Sequence, residues 1–191
     1  RDGGVEPVES RGARIFIGSA CAEPQYLVAG LTERAVSMVD TEILHILTLG
    51  VAPYADRDKA RQFRHNAYFI GDNVREAVAD GRADYTPVFL SELPDLFRSR
   101  RNRLDAALIQ VSPPDKNGYV SMGVSVDVTK AAIEAAKYVV AEVNNFVPRT
   151  HGSSFLHVSE IDAMVAHDAP LIEYELEVPD ETALRIAQII A

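Results

Sequence analysis

The chain has 191 residues, of which 47% are hydrophobic and 25% charged, a composition typical of a soluble globular domain with a substantial core. Its net charge of −9 disfavours a nucleic-acid binder that works by neutralising phosphates, and no segment reaches the ~18 apolar residues of a membrane helix. The single cysteine, Cys21, excludes an internal disulfide framework and suits a reducing compartment.

The first half of the chain alternates apolar strand-like and helix-like segments. In chain order, the patterns predict a strand at 12–18, a helix at 25–38, a buried strand at 42–50, a polar surface loop and helix at 51–65, and a strand at 66–71. Pro24 suits the first helical position, where its missing N–H costs nothing. This alternation indicates parallel strands joined by helices.

The second half continues the alternation. It contains a helix at 72–81, a short or edge strand at 84–90 that includes Pro87, a brief helix at 91–99, a strand at 105–112, a helix at 129–137 and a strand at 138–144. Further strand-like pieces lie at 153–168 and 171–177. The predicted fold class is α/β, an open and mostly parallel sheet with helices on both faces.

One domain is expected, covering residues 12–191 after an N-terminal extension at 1–11. The first residue is Arg1 rather than Met, and the last eleven residues, "ETALRIAQIIA", predict an amphipathic helix. A chain that stops inside an apolar helix is expected to be a fragment of a longer protein.

Three loops are candidates for a functional site because ligands bind beyond the carboxyl ends of parallel strands. They are residues 18–24, 71–73 and 112–123. The third lies in the polar stretch 111–128, which is much longer than the roughly 2 to 6 residues usual in α/β units. Small residues and prolines in the first and third loops suit a cradle for an oxyanion or a thioester carbonyl, although tight turns alone would also need glycine.

The remaining candidates favour structural roles. No phosphate-binding glycine motif, metalloprotease motif or nucleophile elbow is present, and the five histidines have no usual metal-ligand spacing. His45 is expected to be a packed, hydrogen-bonded residue, and Cys21 a small buried side chain rather than a nucleophile. The basic cluster "RSRRNR" at 98–103 is expected to be a solvated turn rather than a phosphate site. Glu23 is the most interesting carboxylate because it lies between a strand end and a helix start.

Four segments together resemble a known family. They are "GSACAEPQYLVAGL", "GDNVREAVADGRADYTPVFLSELPDLF", "DAALIQVSPPDKNGYVSMGVSVD" and "EVNNFVPRTHGSSFLHVSEID". In this order and at this spacing they resemble the N-terminal domain of the acetyl-CoA hydrolase/transferase family, the class I CoA-transferases that act on 4-hydroxybutyrate, succinate, acetate or butyrate. The resemblance covers nearly the whole chain from about residue 12, and S-P-P-D-x-x-G-Y-x-S-x-G is its most specific motif.

The resemblance implies a NagB/RpiA-like sheet, two similar α/β domains per subunit and an active site between them. It also implies ping-pong transfer, in which a glutamate attacks an acyl-CoA and carries the CoA as a glutamyl thioester. That glutamate belongs to the second domain, after a G-x-G-x-x-P loop that is absent from these residues, so no carboxylate here is assigned as the nucleophile. The fragment alone is expected to be inactive. There are two alternatives. One is a noncatalytic module that binds a CoA ester or small carboxylate, and the other is a sugar-phosphate isomerase.

Matching motifs assign cleft residues on three segments. The first cradle comprises Gly18, Ser19, Glu23 and Pro24. The second comprises Ser112, Pro113, Pro114, Asp115, Gly118, Tyr119, Ser121 and Gly123. Asn73 is expected to orient polar groups, and Arg149 to pair with a carboxylate. The segment "NNFVPRTHG" departs from the family's N-P-x-M-P-R-T-x-G, which puts the local turn there in question.

The expected partners also follow from the resemblance. They are coenzyme A or acyl-CoA as substrate, short-chain carboxylates, the second domain of the same protein and further copies in a homodimer or larger homo-oligomer. No permanently bound cofactor, metal, nucleic acid or membrane is expected. The expected location is the cytoplasm, or the mitochondrion in a eukaryote.

Overall fold

The computed structural model describes residues 12–99, 103–174 and 178–191, and within them it contains a seven-stranded parallel sheet. In sheet order the strands are β4 (Ala83–Tyr85), β3 (Phe63–Ala67), β2 (Thr41–His45), β1 (Arg14–Ile17), β5 (Leu104–Val111), β7 (Ala136–Val143) and β9 (Ala163–Ala166). A two-stranded antiparallel sheet pairs β6 (Tyr119–Ser121) with β8 (Phe155–His157). The helices are α1 (Gln25–Glu33), α2 (Asp72–Ala79), α3 (Leu93–Arg98), α4 (Thr129–Ala135) and α5 (Glu181–Ile190). The predicted fold class is confirmed.

Alternate residues of the central strands supply two hydrophobic cores, one on each face of the sheet. Phe16 and Leu44 join side chains of α3 and α4, including Phe97 and Ile133. On the other face, Ile15, Ile17 and Ile43 join Val28 of α1 and Tyr54 from a short 3-10 turn at Pro53–Ala55. The helices therefore cover both faces, as the sequence predicted.

Strands β2 and β3 differ from their predicted positions. The strand predicted at 42–50 ends at His45, because the chain beyond it turns out of the sheet toward the first cradle. The strand predicted at 66–71 lies at 63–67, so it overlaps the prediction at residues 66–67 and begins within the segment 51–65 that was expected to be surface loop and helix. Its buried residues alternate with polar ones, so the sequence lacks the continuous apolar run on which the prediction relied.

Other corrections concern shorter elements. Pro24 is the residue before α1 rather than its first residue, and α1 ends at Glu33 before a 3-10 turn at Ala35–Ser37. The polar stretch 111–128 includes a strand, β6, that the sequence analysis treated as loop. Segment 153–168 contains both β8 and β9, whereas residues 171–174 form no strand and 175–177 lie outside the described residues.

The sheet order creates a switch point between β1 and β5. From β1 the chain builds β2, β3 and β4 on one side, and it then returns to add β5, β7 and β9 on the other. Connections on the two sides therefore diverge at the carboxyl ends of β1 and β5, which leaves a crevice where ligands bind in open α/β sheets. Both predicted cradles begin at these two strand ends.

No helix among the described residues is long and apolar enough to cross a bilayer.

Candidate functional site

The first cradle, residues 18–24, runs between the ends of β1, β2 and β5. The Gly18 N–H donates to the Leu108 carbonyl (2.9 Å), and the Ala20 N–H donates to the Leu47 carbonyl (2.7 Å). Ala20 has a φ of 53°, a left-handed conformation that is strained for a residue with a Cβ. These contacts fix the shape of the cradle before any ligand arrives.

The two cradles lie side by side. The Ser125 hydroxyl, two residues beyond Gly123, donates to the Ser19 carbonyl (3.3 Å). From β5, the Gln110 side-chain amide donates to the Glu23 carbonyl (3.0 Å). The structure thus brings residues 18–24 and the end of 112–123 together at the switch point.

Glu23 is fully buried in the first cradle, with its two carboxylate oxygens in different surroundings. Its Oε2 accepts a hydrogen bond from the Gly50 N–H (2.9 Å), whereas its buried Oε1 has no hydrogen-bond partner among the described residues. Burial raises the pKa of Glu23 from 4.5 to about 7, although the Gly50 N–H and the neighbouring Gln25 side chain act in the opposite direction. A carboxyl group with this pKa exchanges its proton near neutrality.

A loop that the sequence analysis did not single out closes over Glu23. We call residues 47–51, which follow β2, the cover loop. Besides the Gly50–Glu23 bond, the Val51 N–H donates to Gln25 Oε1 (3.3 Å), and Asn73 Nδ2 donates to the Gly50 carbonyl (2.8 Å) and to Thr48 Oγ1 (3.0 Å). A Cβ at Gly50 would lie 2.5 Å from Gln25 Oε1, so a larger residue there would require the Gln25 side chain to move. No local sequence pattern marks this loop, because its contacts join residues 23 or more positions apart.

The second cradle, residues 112–123, is a small hairpin rather than an open loop. The buried Ser112 hydroxyl accepts from the Ser121 N–H (2.9 Å), and the Ser112 N–H donates to the Ser121 carbonyl (2.8 Å). Ser121 Oγ in turn accepts from the Gly123 N–H (3.1 Å). Gly123 has a φ of 61°, and a Cβ there would lie 2.4 Å from a Val147 methyl group, so the turn requires glycine. We call β6, β8 and the turn 113–118 the flap.

Asp115 and Arg149 fasten the tip of the flap. Asp115 Oδ1 accepts from the N–H groups of Asn117 and Tyr119, both at 2.9 Å, and these bonds together with the Arg149 charge lower the pKa of Asp115. Arg149 donates to Asp115 Oδ2 (3.0 Å) and to the carbonyls of Pro113 and Tyr119, while its guanidinium lies over the Phe155 ring. Arg149 therefore pairs with a carboxylate, but with one from this chain.

A buried polar layer on β5 and β7 supports the first cradle, and the sequence analysis missed it. Glu142 Oε2 accepts from the N–H groups of Tyr26 and Leu27 in the first turn of α1 (3.1 and 3.3 Å), and Glu142 Oε1 lies 3.2 Å from His167 Nδ1. Asn144 donates to Gln110 Oε1 (2.7 Å). The sequence feature that indicates this layer is the glutamate and the asparagine inside the apolar run "YVVAEVN", because buried polar groups need hydrogen-bond partners.

A small cavity of about 30 Å³ lies between this layer and the first cradle. Its lining includes Cys21, Glu23, Gln25, Gln110, Glu142, Asn144 and His167, with residues 169–172 on the remaining side. The buried Nε2 of Gln25, like Oε1 of Glu23, has no hydrogen-bond partner among the described residues. A space of this size holds one or two water-sized groups.

The predicted site residues therefore occupy two kinds of position. Gly18, Ser19, Glu23 and Pro24 are buried at the switch point, with the Ser19 hydroxyl lacking a partner among the described residues. Ser112 and Ser121 are buried, whereas Pro114, Asp115 and Tyr119 are exposed on the flap, with Pro113 and Gly118 partly exposed there. Asn73 holds the cover loop. Their contacts with a ligand stay predictions.

The other residues considered in the sequence have the following environments. His45 is fully buried, but the expected hydrogen bonds are missing: neither ring nitrogen has a partner among the described residues. Cys21 is partly exposed rather than buried. Arg98 and Arg103 line a groove near the amino ends of β5 and β7, and residues 100–102 of the basic cluster are outside the described residues. Within the described ranges, no group of three or more acidic, histidine or cysteine side chains could hold a metal ion.

Comparison with known proteins shows which family has this sequence. Residues 5–173 match the family model of the acetyl-CoA hydrolase/transferase N-terminal domain. The chain belongs to this family. The resemblance predicted from the sequence motifs is confirmed.

Two curated members of the family are similar over most of the chain. The 4-hydroxybutyrate coenzyme A transferase of Clostridium kluyveri is 48% identical over 171 residues, which are 90% of this chain and 40% of that protein. The succinyl-CoA:acetate/propanoyl-CoA:succinate CoA transferase of Fasciola hepatica is 44% identical over 182 residues, 94% of this chain and 38% of that protein. The chain thus spans about two fifths of the length of these relatives.

Solved structures of the family share the fold. The 4-hydroxybutyrate CoA-transferase of Porphyromonas gingivalis is 30% identical with a TM-score of 0.72, covering 86% of this chain and 38% of that one. RipA of Yersinia pestis is 26% identical with a TM-score of 0.84, covering 96% of this chain and 46% of that one.

Proposed function

We propose that the protein carrying this chain moves CoA between short-chain carboxylic acids, and that the chain forms one side of the active-site crevice. The observation that supports this most directly is the adjacency of the two cradles at the switch point, where Ser125 binds the Ser19 carbonyl. The names of two relatives also support the proposal, because they describe transferases that act on CoA esters of short acids.

The proposed reaction is a ping-pong exchange in which a glutamate of a second domain, outside this chain, is the nucleophile. Its carboxylate attacks the thioester carbonyl, the C–S bond breaks, and a mixed anhydride and CoA thiolate form. The thiolate then attacks the glutamyl carbonyl of the anhydride and releases the first acid as its carboxylate. An incoming carboxylate reverses these steps and leaves as the new acyl-CoA, so no oxidant or further reactant is needed.

The contribution of this chain is a preshaped surface. Small residues in the cradles allow the backbone to approach a thioester, and preorganised N–H groups would stabilise the oxyanion that forms at each acyl transfer. The flap, fastened by Arg149, would exclude water from the reactive anhydride and thioester. We also propose that the protein assembles as a homodimer or a larger homo-oligomer and acts in the cytoplasm, or in the mitochondrion of a eukaryote.

An exchange assay on the full-length protein tests the proposal. With acetyl-CoA and a panel of short carboxylates, we expect formation of the corresponding acyl-CoA with ping-pong kinetics. Incubation with acyl-CoA alone followed by borohydride should inactivate the enzyme, because borohydride reduces a glutamyl thioester. The isolated chain should show no turnover.

The outcomes separate the alternatives. CoA release without acyl exchange would identify a hydrolase, the activity named for an acetyl-CoA hydrolase of Neurospora crassa that is 27% identical over 105 residues. Binding of acyl-CoA without exchange or hydrolysis would favour the noncatalytic module. Turnover by the isolated chain would contradict the two-domain proposal.

A further inference from the structure

Glu23 and Gln25 share an arrangement that neither packing nor helix capping explains. Each side chain uses one oxygen to bind a backbone N–H of the cover loop: Glu23 Oε2 binds Gly50 and Gln25 Oε1 binds Val51. Each also has a second polar atom, Oε1 of Glu23 and Nε2 of Gln25, that is buried without a partner among the described residues.

Such atoms are costly unless something binds them. A buried donor or acceptor without a partner destabilises a fold because it has lost its hydrogen bonds to water, and native proteins keep few of them. Here two occur on residues that line the same small cavity at the switch point. The clamped oxygens fix both side chains, so that the unpartnered atoms hold their positions before a ligand arrives.

The cavity limits what that ligand can be. A volume of about 30 Å³ accommodates a carboxyl group or one to two waters. The surrounding polar atoms of Gln110, Asn144 and Glu142 already bond within the protein or to one another. Among the described polar residues that line the cavity, only Glu23 and Gln25 have a buried side-chain atom without a hydrogen-bond partner.

We propose that Glu23 and Gln25 form the subsite that binds the carboxyl group of the short-chain acid. Gln25 donates a hydrogen bond from Nε2, and Glu23, as the neutral acid, donates one from Oε1. The raised pKa of Glu23 supports this role, since burial keeps the proton on the group up to about neutral pH. Above that pH the ionised Glu23 would repel the ligand. The inference rests on the proposed function, because it assigns the acid that the exchange consumes.

Kinetics of the full-length protein across pH 6 to 9 test the subsite. For the wild type, we expect the KM for propionate to rise about tenfold for each pH unit above the pKa of Glu23. Glu23→Gln should abolish this rise, because the amide donates at every pH. Gln25→Glu keeps the oxygen that binds Val51 but loses the donor, and it should raise the KM for propionate at least about tenfold with little change in kcat.

Matched variants and a binding measurement complete the test. Glu33→Gln changes an exposed glutamate at the end of α1 and should keep the wild-type pH profile. Gln25→Met supplies an uncharged variant, and thermal melting shows whether each variant is folded. Saturation-transfer NMR with propionate and the full-length protein measures binding without turnover.

The results separate this inference from the proposed function. Normal CoA exchange with a pH profile unchanged by Glu23→Gln, or a KM unchanged by Gln25→Glu, would overturn the subsite and leave the function intact. Propionate binding that the Gln25 variants weaken, in a protein without CoA exchange, would support the subsite and refute the function. Absence of both exchange and propionate binding would overturn both.

Discussion

At the scale of single residues, the titratable groups near the switch point make the stability of the chain depend on pH in opposing directions. Glu23 has a pKa of about 7 in the folded chain, above the 4.5 expected when it is unfolded. The folded state therefore binds more protons than the unfolded state between these pH values. Stability contributed by the neutral acid is present below pH 4.5 and is lost as the pH rises through 7.

Glu23→Gln should stabilise the protein at alkaline pH. The shift from 4.5 to about 7 corresponds to about 3 kcal/mol, the largest gain expected at pH 8, and the gain should vanish at pH 4.5. Urea denaturation of both proteins at the two pH values measures it. An equal difference at pH 4.5 and pH 8 would show that the effect is packing rather than ionisation.

A stacked histidine pair makes the stability of the chain fall at low pH rather than at high pH. The rings of His45 and His65 lie 4.1 Å apart between centroids, and the Tyr54 ring contacts both. Burial lowers the pKa of His65 from 6.5 to about 4, and burial together with the His65 charge lowers the pKa of His45. Both rings therefore stay neutral when an unfolded chain would bind protons, and stability falls as the pH drops below 6.5.

His45→Phe should make the protein less sensitive to acid. It removes a group that forms no hydrogen bond through its ring among the described residues, and it retains an aromatic ring beside Tyr54. Between pH 6.5 and 5, the loss of stability should be shallower by up to about 1.4 kcal/mol per pH unit. Denaturation curves at several pH values measure the slope, and His151→Phe, at an exposed histidine, should leave it unchanged.

At the scale of secondary-structure elements, the sequence was informative where apolar residues are continuous or helix-periodic. β1, β5, α2 and α4 were predicted to within a few residues. β3 was misplaced because its buried side chains alternate with Arg64 and Asn66, which pair with residues of neighbouring strands. β6 was missed because three residues between a proline pair and a glycine give no periodicity.

The site was predictable in its location but not in its contacts. Loop composition and the parallel sheet rule placed the cradles at the strand ends. The cover loop and the polar layer around Glu142 depend on side chains separated by 23 or more residues in the chain, which local patterns do not reveal. The pairing of Arg149 with Asp115 is likewise a product of the folded hairpin.

Loss of Arg149 should loosen the flap without unfolding the sheet. Arg149 joins three positions of the flap tip through Asp115 and the carbonyls of Pro113 and Tyr119. In Arg149→Ala, we expect the amides of β6 and β8 to exchange with solvent about tenfold faster, while those of β1 and β5 are unchanged. Arg75→Ala removes an exposed pair on α2 and serves as the control. Unchanged protection of the flap would show that Arg149 does not fasten it.

At the scale of the whole molecule, α5 stands apart from the hydrophobic cores. All ten of its residues are exposed, among them Leu184, Ile186, Ile189 and Ile190, although the Asp180 side chain caps its first turn. An apolar stripe of this kind commonly marks a surface that another structural element covers.

Deletion of residues 178–191 should therefore leave the stability of the sheet unchanged. We expect a melting temperature within about 2 °C of the parent chain and weaker binding of a hydrophobic dye. Leu156→Ala, in the buried core, provides a contrast with an expected cost of about 2–5 kcal/mol. A large drop in melting temperature on deletion would show that α5 packs on the domain.

The position of β1 at the centre of the sheet has a consequence for assembly. Strands β1 to β4 pair with partners close in sequence, whereas the junction with β5 joins residues about 90 positions apart, as in the pairing of Ile15 with Ala106. The crevice exists only after this distant pairing forms, because its two sides, the loops after β1 and β5, belong to different halves of the chain. Recognition of a small acid in this crevice would therefore depend on the long-range pairing of β1 with β5. A variant with weaker pairing between β1 and β5 would lose binding of the acid, while each half of the chain kept its helices and strands.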